Sequence, residues 1–305
     1  MELTVGSMIK RSVDKFGKKI AVSDGPISLT YSQLNERANR LANALVSMGM
    51  KHGDRCGILL YNCFYWYEIY FALAKIGVIS VPVNFRFATR EMQYVINDSE
   101  PKILIYGKEF EEILSKIKPK LASIKKYICI GAGKGEEDYE ELLIGNSPEE
   151  PASEVRETDL YGITYTSGTT GFPKGVVTEH RGRVLSLLVM ATEMGGMNRT
   201  DTMLVIMLLF HANSASFSTL MHMVGGTCVV YPSGKFDPTE VLKIMDEKKI
   251  TWTSFVPTML TMILNLPEGV KKRYDLSSMR LLLCSSAPLM TKTKEDTINV
   301  PFGDG

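Results

Sequence analysis

A loop rich in glycine and hydroxyl residues is the segment of this sequence best suited to binding phosphate. It spans residues 165–176 (YTSGTTGFPKGV) and follows a segment with the pattern of a strand. Glycine allows the positive φ angles and close backbone approach that a nest of amide groups needs, the hydroxyls add donors, and Lys174 adds a charge. A flexible surface turn is the alternative for any short glycine-rich loop, but the length and order of this one favour a phosphate site.

Two other catalytic motifs do not fit the same loop. A Walker loop requires GxxxxGK[ST], whereas Lys174 stands between Pro173 and Gly175. A hydrolase nucleophile elbow, GxSxG, requires glycine where Tyr165 stands, so Ser167 is not a credible nucleophile. The sequence therefore argues against a P-loop kinase or ATPase and against a serine hydrolase.

Two further segments place polar residues at the ends of predicted strands. His211 follows the apolar segment 203–210, at the kind of strand end where open α/β sheets bind ligands. A lone histidine there is more often a structural residue, and that alternative stays open. The turn from Ser285 to Pro288 follows the apolar segment 281–284, and an ordinary strand-to-helix turn explains it equally well.

The elements that must position these residues alternate between strands and helices. Thr30 with Gln33 predicts a capping box for a helix that ends near Gly49. Asp237 with Pro238 predicts the start of another helix, which ends near Lys248. Residues 65–76 have a helical pattern, and 108–126 predict a surface helix. Strands are predicted at 55–61, 78–83, 103–106, 127–130, 161–166, 203–208, 227–231, 251–256 and 281–284.

Alternation of this kind predicts an α/β fold with parallel pairing. The segment 131–157 is rich in Gly, Glu, Ser and Pro, which is typical of an exposed connection. We therefore expect a first α/β subdomain over residues 1–157 and a second, carrying the phosphate-binding loop, over 158–305.

Composition excludes several classes of function. The 305 residues carry a net charge of +1, which does not favour binding to nucleic acid or to an anionic membrane. The five cysteines have no short-spaced pair, which argues against a disulfide framework and a zinc ribbon and favours reduced, mostly buried thiols. No segment reads as a membrane span, and no charged leader precedes an apolar stretch, so we expect a cytoplasmic protein.

The loop resembles the signature loop of the adenylate-forming (AMP-binding) superfamily, which includes acyl-CoA synthetases, adenylation domains of peptide synthetases and luciferases. The resemblance extends over nearly the whole chain, up to about Leu289. It includes Leu29-Thr30-Tyr31, Gly53-Asp54-Arg55, Val81-Pro82-Val83-Asn84 before Arg86, Phe210-His211-Ala212-Asn213, Gly225-Gly226, Phe255-Val256-Pro257-Thr258 and Ser286-Ala287-Pro288-Leu289.

That resemblance implies two stacked α/β subdomains of a large amino-terminal domain, and it implies roles for individual residues. Thr170 would lie nearest a magnesium ion, and the His211 region would border the acyl site. At the turn expected beside adenine, Ser285 stands where the family commonly has glycine. The ATP phosphates would be cradled by Thr166, Ser167, Gly168, Thr169, Thr170, Gly171 and Lys174, and adenine would lie near Ser286, Ala287 and Pro288.

The implied function is ATP-dependent activation of a carboxylic acid to acyl-AMP, followed by transfer to coenzyme A. No residue from Asn213 to Phe217 stands out as a partner for an ammonium group, which favours a fatty acid, or alternatively an aryl acid, over an amino acid. The family's later motifs are missing after Leu289, so we expect an inactive fragment of the full-length enzyme. A catalytically incomplete nucleotide- or acyl-binding module is the alternative, and a homodimer is compatible with either.

Overall fold

The computed structural model describes residues 2–131, 137–166, 172–193, 196–232 and 234–298, and it shows an α/β fold with two sheets. The strands of the described residues are β1 (Ile20–Asp24), β2 (Ile27–Thr30), β3 (Arg55–Leu59), β4 (Ile79–Pro82), β5 (Ile103–Gly107), β6 (Lys126–Ile130), β7 (Glu137–Asp138), β8 (Leu160–Thr166), β9 (Lys174–Glu179), β10 (Thr202–Val205), β11 (Thr227–Val230), β12 (Trp252–Phe255) and β13 (Leu281–Cys284).

The helices connect these strands and cover the sheets. They are α1 (Val5–Phe16), α2 (Tyr31–Ser47), α3 (Tyr65–Lys75), α4 (Thr89–Ser99), α5 (Glu111–Ile117), α6 (Tyr139–Ile144), α7 (His180–Glu193), α8 (Ala212–Val224), α9 (Pro238–Glu247), α10 (Pro257–Leu264), α11 (Glu268–Lys271) and α12 (Thr291–Ile298). The predicted surface helix over 108–126 is instead α5 between two short 3₁₀ turns. None of the helices in the described part of the chain is long and apolar enough to cross a membrane.

Each sheet is parallel apart from one antiparallel pair at its edge. One sheet has the order β7-β6-β5-β3-β4-β8-β9, and the other has the order β13-β12-β10-β11-β1-β2. The pairs β8 with β9 and β1 with β2 are antiparallel. The predicted parallel pairing of the strand–helix–strand unit β3-α3-β4 is confirmed, with Arg55 opposite Ile79.

Sheet membership differs from the expected order along the chain. The strand predicted at 161–166 was expected to begin the second unit, but β8 pairs with β4 in the first sheet. Conversely, β1 pairs in parallel with β11 of the other sheet, although about two hundred residues separate them. The predicted boundary after residue 157 therefore does not separate the two sheets.

Local sequence signals account for where the main helices begin. The Thr30 side chain accepts from the Gln33 amide, and the Gln33 side chain accepts from the Thr30 amide, so the predicted capping box is confirmed. Asp237 caps α9 by accepting from the amides of Thr239 and Glu240. A second capping box, at Thr4 before α1, was not predicted.

The segment 131–157 is more than an exposed connection. It contains α6, whose Tyr139 and Leu143 are buried. The Tyr139 hydroxyl donates to Glu68 on α3 at 2.9 Å, and Arg37 on α2 pairs with both Glu68 and Glu140. Three helices therefore meet at one buried carboxylate, which explains why this polar segment folds back onto the core.

The core lies between the helices and both sheets. α3 is buried along almost its entire length, as expected for a helix that is apolar all round. Its two charged residues are paired, Glu68 with Arg37 and Lys75 with Glu150. The five cysteines are free thiols, and three of them, Cys56, Cys129 and Cys228, are buried.

Candidate functional site

A cavity of about 630 Å³ opens where the carboxyl ends of strands from both sheets meet. Residues that follow β4, β10, β11, β12 and β13 line it, together with the last residues of β8. Open α/β sheets bind ligands in this position because loops at the strand ends diverge and leave a crevice. Its lining includes Asn84, Arg86, Thr164, Thr166, Met207, His211, Tyr231, Val256 and Ser286.

The glycine-rich loop connects β8 to β9 as the turn of an antiparallel pair. Thr166 lies opposite Lys174 in the ladder, so the two ends of the loop are held together. Thr166 lines the cavity, and Lys174 is exposed beside it on the partner strand. The predicted phosphate ligands Ser167, Gly168, Thr169, Thr170 and Gly171 lie outside the described residues.

Helix α4 anchors this pair of strands from the side. The Tyr165 hydroxyl donates to Asp98 Oδ2 at 2.6 Å, and burial together with this carboxylate raises the pKa of Tyr165. After the loop, the Phe172 ring lies against Tyr94, with 4.7 Å between ring centroids, and the Arg90 guanidinium lies over it. Both ends of the loop are thus fixed to one helix.

Gly175 has a packing role in the same pair of strands. A Cβ atom there would lie 2.9 Å from Ile163 Cγ2 and 3.2 Å from Tyr165 Cζ, closer than ordinary van der Waals contact. The glycine next to Lys174 therefore lets β9 lie flat against the side chains of β8. Close packing between β8 and β9 is therefore a structural reason for glycine at position 175.

His211 lies at the amino terminus of α8, where it is the N-cap residue. Its ring packs against Phe210, with 4.3 Å between centroids, and reaches the cavity surface. Desolvation by the surrounding protein, with a smaller contribution from the Arg86 charge, lowers the pKa of His211. Desolvation therefore favours the neutral imidazole, which can accept one hydrogen bond and donate another.

Arg86 and Asn84 are cavity residues to which the sequence alone assigned no role. They follow β4, and the Asn84 side chain fixes their turn by accepting from the Arg86 amide at 2.9 Å. Arg86 brings a permanent positive charge to the wall that carries His211. The signal that would have identified them is their place just after a parallel strand, the same criterion that identified His211.

The turn after β13 reaches the cavity through Ser286. This residue has φ of +73°, in the left-handed region that favours glycine. The preceding Ser285 donates its amide to Phe255 O at 3.0 Å and continues the strand geometry. The left-handed conformation that favours glycine is therefore at Ser286. The resemblance to the family placed the glycine one residue earlier, at Ser285. Ala287 and Pro288 are exposed and are not among the described residues that line the cavity.

The structure thus brings Thr166, His211 and Ser286 together around one cavity, with Lys174 beside Thr166. Cationic side chains and strand-end backbone in a crevice of this size suit an anionic ligand as large as a nucleotide. Among the described residues there is no group of three or more His, Cys, Asp or Glu residues that could hold a metal ion, and Thr170 lies outside them.

Comparison with known proteins identifies relatives of the whole fold. The family model described as AMP-binding enzyme matches residues 9–301. A long-chain-fatty-acid–CoA ligase of Thermus thermophilus is 30% identical over 313 residues, which cover 100% of this chain and 57% of that ligase. A feruloyl-CoA synthase of Amycolatopsis sp is 32% identical over 88% of this chain and 51% of the synthase. The chain therefore spans about half the length of these curated relatives.

A solved structure shows the same architecture. The inhibitor-bound N-terminal domain of FACL13 from Mycobacterium tuberculosis superposes with a TM-score of 0.90 at 27% identity, covering 98% of this chain and 73% of that one. The α/β class and the two-sheet arrangement expected from the sequence are thereby confirmed.

Proposed function

The chain belongs to the family of AMP-binding enzymes, and from that premise we propose that the complete protein activates a carboxylic acid with ATP and transfers the acyl group to coenzyme A. A carboxylate oxygen of the acid attacks the α-phosphorus of ATP, which forms acyl-AMP and releases pyrophosphate. The thiol of coenzyme A then attacks the acyl carbon and releases AMP. This chain supplies the sites for ATP and for the acid.

The observation that carries this proposal is the single cavity that Thr166, His211 and Ser286 share at the strand ends. A nucleotide there would extend from the turn at Ser286 to the loop beside Lys174. The acid would lie on the side of His211 and Arg86. Two substrates that must react with each other would then meet in one crevice.

The residues of this chain act by binding and orienting. Lys174 and the amides of the loop bind the β- and γ-phosphates and stabilise the charge that develops on pyrophosphate as it leaves. We propose that Thr170 contributes its hydroxyl to a magnesium ion bound to those phosphates. Such an ion neutralises phosphate charge. His211, whose neutral form is favoured by desolvation, would offer the acid a hydrogen bond, whereas the positive charge on that side of the cavity comes from Arg86.

The acid is one without an ammonium group, because no acidic side chain lines the cavity among the described residues. Two relatives are named for long-chain fatty acids and for ferulic acid, which are both of this kind. The free thiols of all five cysteines accord with a reducing compartment, and we propose a cytoplasmic location.

Acid-dependent exchange of pyrophosphate into ATP tests this function in the complete protein encoded by the gene. We expect exchange with fatty or aryl acids, and we expect Lys174→Ala to weaken it at least about tenfold, as for the loss of one charge-assisted contact. The matched control is Lys248→Ala, which removes an exposed lysine at the end of α9. Equal ATP affinity and equal exchange in the Lys174 and Lys248 variants would contradict the phosphate site.

A catalytically incomplete binding module is the second candidate, because the chain spans about half the length of its curated relatives. The 305-residue chain should then bind ATP yet form no acyl-CoA when acid and coenzyme A are supplied. Thioester formation by this chain alone would exclude that candidate.

A further inference from the structure

A second, much smaller cavity adjoins the larger one behind His211. Its volume is about 10 Å³, room for one group the size of a water molecule or a methyl group. Three residues, Thr164, His211 and Ala212, line both cavities. The smaller cavity is therefore a continuation of the crevice past His211, and an acid bound beside His211 would extend into it.

Three aromatic walls of the smaller cavity are fixed by their packing in the core. The Tyr70 hydroxyl donates to the Leu209 carbonyl at 3.2 Å, and the Phe210 ring packs against Phe85 with 5.2 Å between ring centroids. The third wall, Tyr161 on β8, is buried as well. A substrate could not push these rings aside without breaking core contacts, so they do not yield to a longer acid.

Arg183 closes another side of the same cavity. It lies on the first turn of α7, its Nη1 donates to the Ser216 hydroxyl on α8, and its Cζ lies 5.5 Å from the centroid of the Tyr161 ring. The Ser216 hydroxyl in turn donates to the Ala212 carbonyl at 2.6 Å. The guanidinium is therefore anchored between the two helices and fills the space between them beside the cavity.

Arg183 occupies this place at a cost to stability. Its Nε is buried and has no hydrogen-bond partner among the described residues, and an unpaired buried donor loses its hydration without compensation. Arg37, by contrast, pairs with the buried Glu68. Of the large side chains around the smaller cavity, Arg183 is therefore the one that could be truncated with the least loss of stability.

We propose that Arg183 restricts the acid to a short aliphatic chain, of about two to four carbons, by filling the space that a longer chain would need. The carboxylate would lie beside His211 in the larger cavity, and the methyl end would occupy the smaller one. The two relatives named for long-chain fatty acids and for ferulic acid take larger acids by name, so this chain would differ from them in selectivity. This inference rests on the proposed function and narrows its substrate class.

The alternative path for a long chain runs along apolar residues of the larger cavity. Met207, Tyr231 and Phe236 lie there, after β10 and β11. A long chain on this path would share a volume of about 630 Å³ with the nucleotide that we place between Ser286 and the loop. A chain bound there would not depend on the size of residue 183, so variants of Arg183 distinguish the two paths.

The test is acid-dependent pyrophosphate exchange in the complete protein, with straight-chain acids from acetic to decanoic acid. In the wild type, kcat/KM should fall at least about tenfold once the chain exceeds about four carbons, because one methylene too many in a pocket costs about 10- to 200-fold. Arg183→Ala should raise kcat/KM for hexanoic and octanoic acids at least about tenfold and leave the KM for ATP unchanged.

Two control variants separate volume from charge and from position. Arg183→Met keeps an unbranched side chain of similar length without the charge, so it should retain the preference for short acids. Arg181→Ala, two residues earlier on the same turn and exposed, should behave as wild type. Loss of the length limit in Arg183→Met as complete as in Arg183→Ala would show that the charge, and not the volume, sets the preference.

The outcomes separate this inference from the proposed function. If no acid supports exchange in the wild type, the proposed function fails and the inference with it. If the wild type uses octanoic acid as well as butyric acid, or if Arg183→Ala keeps the wild-type dependence on chain length, the inference fails while the function stands. Circular dichroism checks that each variant folds. Should Arg183→Ala not fold, the wild-type profile still decides together with Ala215→Val, which narrows the same cavity and should shift the preference toward acetic acid.

Discussion

Arg37 on α2 links α3 and α6 by pairing with Glu68 and Glu140, so replacing it should lower the free energy of unfolding. The Glu68 side chain is fully buried. Its carboxylate accepts hydrogen bonds from Arg37 Nε and, at 3.2 Å, from Arg37 Nη2. In Arg37→Leu the carboxylate would keep only the Tyr139 hydroxyl, at 2.9 Å. Breaking a buried pair by removing one partner costs about 3–5 kcal/mol, because the remaining charge is left uncompensated.

Most of this cost should come from Glu68. The second partner of Arg37, Glu140, has a side chain that is 44% exposed, so water replaces the guanidinium there at a cost of at most about 1 kcal/mol. The matched control is Arg40→Leu on the same helix. Arg40 pairs with Glu36 at 2.9 Å and donates to the Asn146 carbonyl at 2.7 Å, and because these contacts are partly exposed their loss should cost about 1–2 kcal/mol.

The pH dependence distinguishes a buried charge from lost packing. Burial raises the pKa of Glu68 to about 7, although Arg37 opposes the rise. A carboxyl pKa raised in the folded state means that the folded protein holds the proton more tightly than the unfolded chain. The stability that this contributes is present below the unfolded pKa of about 4.3 and is lost as the pH rises through about 7.

In Arg37→Leu the opposing charge is gone, so the pKa of Glu68 rises further and stability continues to fall above pH 7. The slope is about 1.4 kcal/mol per pH unit, so the difference from wild type should widen between about pH 6 and about pH 8. Urea unfolding followed by circular dichroism measures it. Adding Glu68→Gln to Arg37→Leu should remove the part of the pH dependence of stability that comes from Glu68, because glutamine does not titrate. A cost below that of Arg40→Leu, or a difference that does not vary with pH, would refute this account.

Two further predictions concern the candidate site. His211→Ala should change kcat or KM for the acid more than KM for ATP, because His211 lines the cavity on the side where we propose that the acid binds. Steady-state kinetics with each substrate varied measures this, and a change confined to ATP would show that the proposed placement is wrong. Gly175→Val should weaken ATP binding, because the new side chain would clash with Ile163 and Tyr165 and displace Lys174. Calorimetry on the folded variant measures the affinity for ATP. Val176→Ala, at the exposed neighbouring position, is the control.

Local signals in the sequence predicted where two of the main helices begin. The capping residues Thr30 and Asp237 lie where their patterns placed them, since a cap and its acceptors are within three residues of each other. The strand β9 escaped prediction because it directly follows the glycine-rich loop, whose composition masks the start of a strand. The helix α6 escaped because its anchor, Glu68, is distant in sequence.

The assignment of strands to sheets could not be predicted in the same way. The parallel pairing of β1 with β11, and of β8 with β4, depends on contacts between segments that are distant in sequence. The hydrophobic pattern of a strand does not indicate which strand it pairs with. This pairing matters for the site, because β8 carries Thr166 in one sheet while β10 leads to His211 in the other. The crevice exists because the carboxyl ends of both sheets meet.

Most residues of the candidate site lie just after a parallel strand, whereas Arg183, which lies beside the site, does not. Asn84, Arg86, His211 and Ser286 all follow a parallel strand closely, so the position of each could be read from the strand pattern once the sheet direction was known. Arg183 lies on a helix instead, where a charged residue in the first turn ordinarily faces solvent. Its direction becomes apparent only when α7 packs against α8 and the guanidinium meets Ser216 and Tyr161. The strand ends therefore indicate the general chemistry of the crevice, whereas the inward direction of Arg183 is revealed only by tertiary packing.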